Sequence, residues 1–379
     1  MKILHVDING WVYGVQKYVI NFCKELNKRD GYRSIVVGAS GIYLKILKAE
    51  NIEVIPLRGE WGKIDLDPRG WIRLFGIIEK VRPNIIHSHG TKEHIISKII
   101  GRLLGISSIP IYHCIHKISG SANPRLGLKR RIYQTLYLDL LERFTSHFAY
   151  KNIAVSNSVK NNITRFGIPA EKIEVIYSGV ELDDSLLRKE KVDGANGRIK
   201  IVSVGRIDKN KGIADIIRVG KILKERGYDF EITFVGDGPL LGESTRLVER
   251  YRLKQQIKFS GYRKDIQEVL SSSDIFVSAS YSEGLPLNII EAMTCGLPVV
   301  VTDAGGVTEI VDDKVNGLVV KKGSPQQLKE ALLLMMKNSK LRREYGRKGR
   351  EKVLREFSID RMIAQYLSLY DTILKRTVS

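Results

Sequence analysis

An alternation of strand-like and helix-like runs starts at the first residues, stops over one polar stretch and starts again. That rhythm constrains the fold more than any other feature. Lys2–Val6 is a short apolar run, and Val15, Val19, Phe22 and Leu26 then recur at helical spacing over residues 14–29. Further strands are expected at residues 34–37, 52–56, 84–87 and 109–113, with helices at 42–49, 71–81 and 92–104. Strands separated by helical runs build βαβ units and a mostly parallel sheet.

The stretch Asp183-Asp184-Ser185-Leu186-Leu187-Arg188-Lys189-Glu190 and the residues after it are charged, Gly-containing and poor in large apolar side chains. It reads as a linker over 183–198, or as a long surface loop inside one domain. Beyond it the grammar resumes with strands at 200–204, Phe230–Val235, 275–279 and Val299–Thr302. A helix over 212–226 is closed by Gly227, and three helical runs begin at Pro325, Leu341 and Ser358. The expected architecture is α/β, with two doubly wound domains in series at 1–182 and 199–356 and a final helical segment at 357–379. Ligands of such sheets sit beyond the carboxyl ends of the strands, so two facing sheets would place one in a cleft.

A chain of 379 residues can bury a core without disulfides. The formal net charge of +20 favours anionic partners. Residues 1–190 hold 29 basic and 18 acidic side chains, and residues 191–379 hold 33 and 24. A charge spread that evenly argues against a nucleic-acid stripe. Cys23, Cys114 and Cys295 are too few and too far apart for a disulfide framework or a cysteine zinc site. No window resembles a membrane span, and the opening apolar run is short for an export signal, so Asn162-Ile163-Thr164 carries no weight as a sequon. The expectation is a cytoplasmic protein, or one peripheral on the inner face of the cell membrane.

Several constellations carry chemistry. In Gly205-Arg206-Ile207-Asp208-Lys209-Asn210-Lys211-Gly212 a strand ends, a glycine turns the chain, and two cations flank a helix start. A guanidinium fork, a mobile ammonium and a helix N-terminus suit a diphosphate. In Ser282-Glu283-Gly284-Leu285-Pro286-Leu287-Asn288-Ile289-Ile290-Glu291 a strand runs into a loop and then a helix. Its carboxylates suit sugar and ribose hydroxyls, and the amides of Gly284, Leu285 and Leu287 suit an anion. Asp303-Ala304-Gly305-Gly306 follows the next strand, where a glycine pair serves a turn or a close ligand approach. The first loop, Asn9-Gly10-Trp11-Val12-Tyr13-Gly14, fails the dinucleotide fingerprint. His87, His89, His94, His113 and His116 gather at strand ends and read as packing, as hydrogen-bonding groups near substrate, or as a metal site. Asp65-Leu66-Asp67 has the form of a metal-binding pair but no strand before it. Lys129-Arg130-Arg131 opens an amphipathic segment with Ile132, Leu136, Leu140 and Phe144, suited to core packing or to an anionic membrane. Residues 337–355 hold nine basic and two acidic side chains and read as a solvated helix face.

Taken in order, these pieces resemble a glycosyltransferase of the GT-B fold, within the retaining family 4, glycogen-synthase-like and mannosyltransferase-like. The resemblance rests on the loop at Gly14, on Ala154-Val155-Ser156-Asn157-Ser158 and on Val175-Ile176-Tyr177-Ser178-Gly179-Val180. It rests also on Gly205-Arg206 with Lys211-Gly212, and on Ser282-Glu283-Gly284-Leu285-Pro286 with Glu291. It implies two Rossmann-like domains facing across a cleft, an acceptor-binding one and a donor-nucleotide-binding one, with the final helix crossing back to the first. It implies that Arg206 and Lys211 hold the donor's diphosphate, that Glu291 binds the ribose, and that Glu283 lies near the transferred sugar. Gly284 and Leu285 would present amides to phosphate. Gly205, Gly236, Asp237 and Gly238 would lie near the nucleotide, and His89 near the donor sugar. It implies no metal and no cofactor beyond a UDP- or GDP-sugar donor, with UDP preferred. The acceptor would be lipid-linked or a polysaccharide, in cell-surface glycan synthesis, with peripheral contact to an anionic membrane and no nucleic acid. Tyr13 departs from the family's usual glycine pair. A GT-B epimerase or phosphorylase, and a degenerate scaffold, are the alternatives; retention of Arg206, Lys211, Glu283 and Glu291 together argues against a scaffold.

Overall fold

A computed structural model describes residues 1–57, 68–113, 139–181 and 197–378. Asp65 and Asp67, Cys114, His116, Lys129-Arg130-Arg131 with Ile132 and Leu136, and most of the expected linker lie outside the described residues. The chain divides into two units, Met1–Gly179 with Ile359–Ser379, and Val180–Ser358.

The first unit holds a seven-stranded parallel sheet: β1 (Lys2–Val6), β2 (Arg33–Val37), β3 (Glu53–Ile55), β4 (Ile85–Ser88), β5 (Ser107–Tyr112), β6 (Asn152–Ala154) and β7 (Ile173–Val175), in the order β3-β2-β1-β4-β5-β6-β7. Every pairing is parallel, with Leu4 opposite Ile86 and His5 opposite His87 across β1 and β4. The strands are apolar along their length because helices cover both faces of such a sheet. Leu4, Val6, Ile35, Val37 and Ile86 pack with Leu74 and Ile78 of the helix Pro68–Val81. β6 and β7, three residues each, are too short to show a period and were not anticipated.

The last helix, Ile359–Val378, belongs to this unit. Tyr366 and Tyr370 are fully buried in it. Tyr18 donates its hydroxyl to Tyr366 at 2.8 Å, Tyr370 meets His87 Nε2 at 3.0 Å, and Phe22 packs edge-on against Tyr366 with ring centroids 4.9 Å apart. Buried aromatics are worth about 1.5–3 kcal/mol each, so these two fasten the helix more than its exposed Arg29–Asp360 ion pair does.

The second unit holds a six-stranded parallel sheet: β8 (Ile199–Val204), β9 (Phe230–Val235), β10 (Ile257–Phe259), β11 (Ile275–Ser278), β12 (Val299–Thr302) and β13 (Leu318–Val320), ordered β10-β9-β8-β11-β12-β13. Its core joins Ile201, Phe230, Ile232, Phe234 and Val277 to Ile216, Ile217 and Leu223 of the helix Ile213–Glu225. β10 and β13 are again three residues long and escaped the sequence pattern. The basic run forms the helix Ser339–Glu356, whose Arg347–Glu351 and Lys348–Glu344 pairs are solvated as expected. Two of its cations instead turn inward. Arg342 donates to the carbonyls of Met335 and Met336, and Lys352 holds Asp312 at 2.8 Å. Where the chain leaves this unit, Val180 bridges Ser358 and donates its N–H to the Phe357 carbonyl at 3.0 Å.

In each sheet the strand order reverses once, between β1 and β4 and between β8 and β11. Loops at the carboxyl ends of those strand pairs form the crevice where doubly wound sheets take their ligands.

Candidate functional site

The β8/β11 crevice collects most of the residues that the sequence singles out in the second unit. β8 ends at Val204, and Gly205 and Arg206 follow it. Ser203, Val204, Gly205, Arg206, Ile207, Lys211, Ile213 and Ser278 line one hollow there. Asp208 caps the single turn Lys209–Lys211 by accepting the Asn210 N–H at 2.9 Å. Gly212 then starts the helix Ile213–Glu225 with φ +62. A Cβ there would stand 2.0 Å from the Ala279 carbonyl oxygen, so only glycine lets the two loops touch.

From the other side, β11 runs into the loop that carries Glu283. Lys211 Nζ donates to Glu283 Oε1 at 2.6 Å, and both side chains are mostly buried. Arg206 is about half exposed and lies 3.6 Å from Asp208. The Glu283 carbonyl accepts the Gly306 N–H at 3.3 Å, which ties the third motif, after β12, to the second. Thr302 donates its hydroxyl to the Ser280 carbonyl at 2.5 Å and fixes the same loop one step earlier.

Gly284 and Leu285 follow, and Pro286 precedes the helix Leu287–Thr294 rather than lying in its first turn. Asn288 donates to the Val204 carbonyl at 2.5 Å, which draws this helix onto the end of β8. Glu291 stands one turn further along, on the same helix. The helix thus starts beside the β8 loop, with its N-terminal dipole at the crevice.

Gly236, Asp237 and Gly238 sit at the end of β9, next to this crevice. A Cβ on Gly236 would meet the Gly205 carbonyl oxygen at 2.0 Å, so these glycines serve contact between two backbones. Asp237 accepts the Ile207 N–H on its carbonyl and the Gly238 N–H on its side chain.

In the first unit the β1/β4 crevice is bounded by the loop after β1 and by the start of the helix Thr91–Leu104. Gly14 is the first residue of the helix Gly14–Asn27, and nothing lies within 4 Å of a Cβ placed on it. Tyr13 caps that helix in an extended conformation open to any residue, which is how the chain accommodates a tyrosine here. Its N–H donates to Gln16 Oε1, and Gln16 donates in turn to both oxygens of Asp7. Burial pushes the Asp7 carboxyl up to about 6. Glu93 rises to about 7, chiefly by burial and further by the charge of Asp7. Trp11 and Tyr13 expose their rings on the same loop.

The histidines form a buried chain. His5 Nδ1 meets His89 Nε2 at 3.1 Å, and His89 Nδ1 meets His113 Nε2 at 3.0 Å. Both ring nitrogens of His89 are therefore taken by other imidazoles, which leaves it no nitrogen for a sugar in this arrangement. In the same cluster His5 Nε2 and His87 Nδ1 are buried without a hydrogen-bond partner among the described residues, and His113 stands at its part-buried end. His94 meets Ser88 at 2.9 Å. Burial lowers His5 and His113 to about 3, so both rings are neutral near pH 7. Among the described residues no group of three or more His, Cys, Asp or Glu side chains converges as metal ligands do.

Sequence reasoning missed Asp7, Glu93, His5 and Tyr281. The usable signal was position: each stands within a few residues of a strand's carboxyl end.

The family model described as Glycosyltransferase Family 4 matches residues 12–184, and that described as Glycosyl transferases group 1 matches residues 187–352. The chain belongs to the group 1 / family 4 glycosyltransferases of the GT-B fold, and is a glycosyltransferase. It is 25% identical to the UDP-Gal:alpha-D-GlcNAc-diphosphoundecaprenol alpha-1,3-galactosyltransferase of Escherichia coli, over 98% of this chain and 96% of that one. It is 27% identical to the capsular polysaccharide biosynthesis glycosyltransferase CapM of Staphylococcus aureus, over 90% of each. The crystal structure of Anabaena Alr3699/HepE in complex with UDP has the same fold, with a TM-score of 0.81, 20% identity, and coverage of 98% of this chain and 100% of that one.

Proposed function

We propose that this chain moves a sugar from a UDP-sugar to a lipid-linked or polysaccharide acceptor in cell-surface glycan synthesis, with retention at the anomeric carbon and without a metal. The observation that carries the reading is the meeting of Lys211 and Glu283 at the β8/β11 switch point, with Arg206 beside them. UDP as the nucleotide is supported by the E. coli relative's donor and by the Anabaena complex. The lipid-linked or polysaccharide acceptor is supported by the E. coli and S. aureus relatives.

In this reading Arg206 and Lys211 grip the donor's diphosphate. The amides of Gly284 and Leu285, at the start of the helix Leu287–Thr294, add partial positive charge. The C1–O bond to the β-phosphate breaks first, and its electrons go to the phosphate oxygen. These cations stabilise that charge as a bound divalent ion would. The acceptor hydroxyl attacks the same face of the oxocarbenium-like sugar and gives its proton to the departing phosphate oxygen. No carboxylate has to act as nucleophile, unlike the pair of a glycosidase. Glu283 takes hydroxyls of the transferred sugar, Glu291 takes the ribose, and Gly205 and Gly236–Gly238 shape the nucleotide's surroundings.

Peripheral membrane contact belongs to the same proposal. On the helix Asp139–Thr145, Leu140 and Phe144 are 64% and 63% exposed, one turn apart, in a chain of net charge +20. Among the described residues no helix is long and apolar enough to cross a membrane. Transfer from radiolabelled UDP-sugars to membrane lipid extracts, with and without EDTA, tests the reaction. Incorporation from one UDP-sugar in EDTA supports it, and incorporation that requires added divalent metal contradicts the metal-free step.

A further inference from the structure

Besides the Lys211–Glu283 pair itself, Tyr281 ties the loop that carries Glu283 to the loop that carries Lys211. Its backbone N–H donates to the Asn210 carbonyl at 2.7 Å, and its hydroxyl donates to Asp215 Oδ2 at 2.5 Å. Asp215 lies in the first turn of the helix Ile213–Glu225, is 5% exposed, and receives Arg218 on its other oxygen at 2.7 Å. One carboxylate thus joins the residue two before Glu283 to the helix that begins just after Lys211. The negative charge of Asp215, first through its hydrogen bond, holds the Tyr281 hydroxyl above its ordinary pKa, so it stays a donor. A hydrogen bond to a charged group is shorter and stronger than a neutral one.

We propose that Tyr281 and Asp215 are a positioning couple that sets the separation of Lys211 and Glu283, and so the grip of the site on a diphosphate. The proposal rests on the donor-site reading above. Lys211 sits at the end of a flexible stem, and its charge is useful only where the backbone delivers it. The Thr302 and Gly306 hydrogen bonds hold the Glu283 loop from the β12 side. Tyr281 supplies an opposing tether towards Lys211, and loss of its hydroxyl leaves that side with the Tyr281 backbone bond and the Lys211–Glu283 pair.

The test uses the full chain, with UDP binding read by calorimetry and folding by melting temperature. Tyr281→Phe deletes one hydroxyl and is expected to weaken UDP about tenfold, with little change in melting temperature. Asp215→Ala is expected to weaken it to a similar degree, and the double variant no further than the worse single one, because both remove one device. Weakening by Tyr281→Phe alone, with Asp215→Ala folded and binding like wild type, would mean that Tyr281 touches the ligand itself, and would overturn the couple. So would independent, multiplying losses in the double variant. If Asp215→Ala does not fold, wild-type binding by Tyr281→Phe still overturns the proposal. Lys211→Ala is the control for the underlying reading. If it binds UDP like wild type, the donor site is wrongly assigned; if it fails while Tyr281→Phe binds normally, only the couple is wrong.

Discussion

Lys211 Nζ stands 2.6 Å from Glu283 Oε1, so the cation assigned to the donor's phosphate is held by a carboxylate assigned to the donor's sugar. A diphosphate must draw Lys211 away from that partner. The ion pair keeps a partly buried cation compensated, and in the proposed reading a ligand replaces Glu283, which is then released to accept sugar hydroxyls. Removing the competitor and removing the cation should have opposite effects on nucleotide binding.

Glu283→Gln is therefore expected to bind UDP more tightly, by roughly two- to fivefold for a partly screened ion pair, while sugar transfer falls. Calorimetry with UDP and a transfer assay on the same preparation check both halves. Weaker UDP binding by this variant would mean that Glu283 holds the nucleotide directly.

Gly212→Ala should damage site and fold together. Its φ of +62 is unfavourable for alanine, and the new methyl would overlap the Ala279 carbonyl. A loss of about 1–3 kcal/mol from the backbone alone is expected, with weakened UDP binding because Lys211 is displaced. Urea unfolding of the variant beside wild type checks it. An unchanged midpoint would show that the two loops separate freely.

The first unit should weaken in acid. The unfolded chain protonates its histidines near pH 6.5, whereas burial keeps His5 and His113 neutral down to about 3 and holds His87 and His89 well below their ordinary value. Stability from these rings is present above pH 6.5 and is lost as pH falls from there towards 3. Asp7 and Glu93, raised to about 6 and about 7, act with the opposite sign. Each holds a proton that the unfolded chain releases, so their contribution falls as pH rises from about 4 to 7. The histidines are the more numerous, and net stability declines below pH 6.5. His5→Phe should lower stability at pH 7.5 yet flatten the dependence between pH 6 and 5 by about one proton. Urea titrations at those pH values measure the slope, and an unchanged slope would mean that His5 titrates in the folded chain.

Lys98 and Glu142 form a buried ion pair at 2.8 Å, and Tyr112 also donates to Glu142. Lys98→Met should cost about 3–5 kcal/mol because it leaves a buried carboxylate uncompensated. Lys98→Met with Glu142→Leu should cost less than that single change. Chemical denaturation of the three proteins tests the ordering, and simple additivity would contradict it.

The residues gathered at the β8/β11 crevice were the more legible in the sequence. Gly205, Arg206, Lys211, Glu283 and Glu291 lie on loops and a helix start that follow long apolar strands, and strand ends are visible in a pattern. β6, β7, β10 and β13 were not legible, because three residues cannot display a period; β3, equally short, showed only because the apolar residues at 52–56 extend beyond it. His89 is expected near the sugar from the family resemblance, which carries no information on what its ring nitrogens meet in this chain. That His5 and His113 occupy both its nitrogens depends on the β1-β4-β5 order, a long-range fact. Tyr281 was passed over for the same reason, since its partner Asp215 is remote in the chain.

The most direct test is calorimetric titration of the full chain with UDP in EDTA, beside Lys211→Ala. The account predicts that wild type binds UDP without metal and that the variant binds roughly 10- to 100-fold more weakly while staying folded, as expected for a lost charged hydrogen bond. Equal affinity in the two proteins, or no UDP binding by wild type, would contradict the assignment of Lys211 and its crevice to the donor's diphosphate.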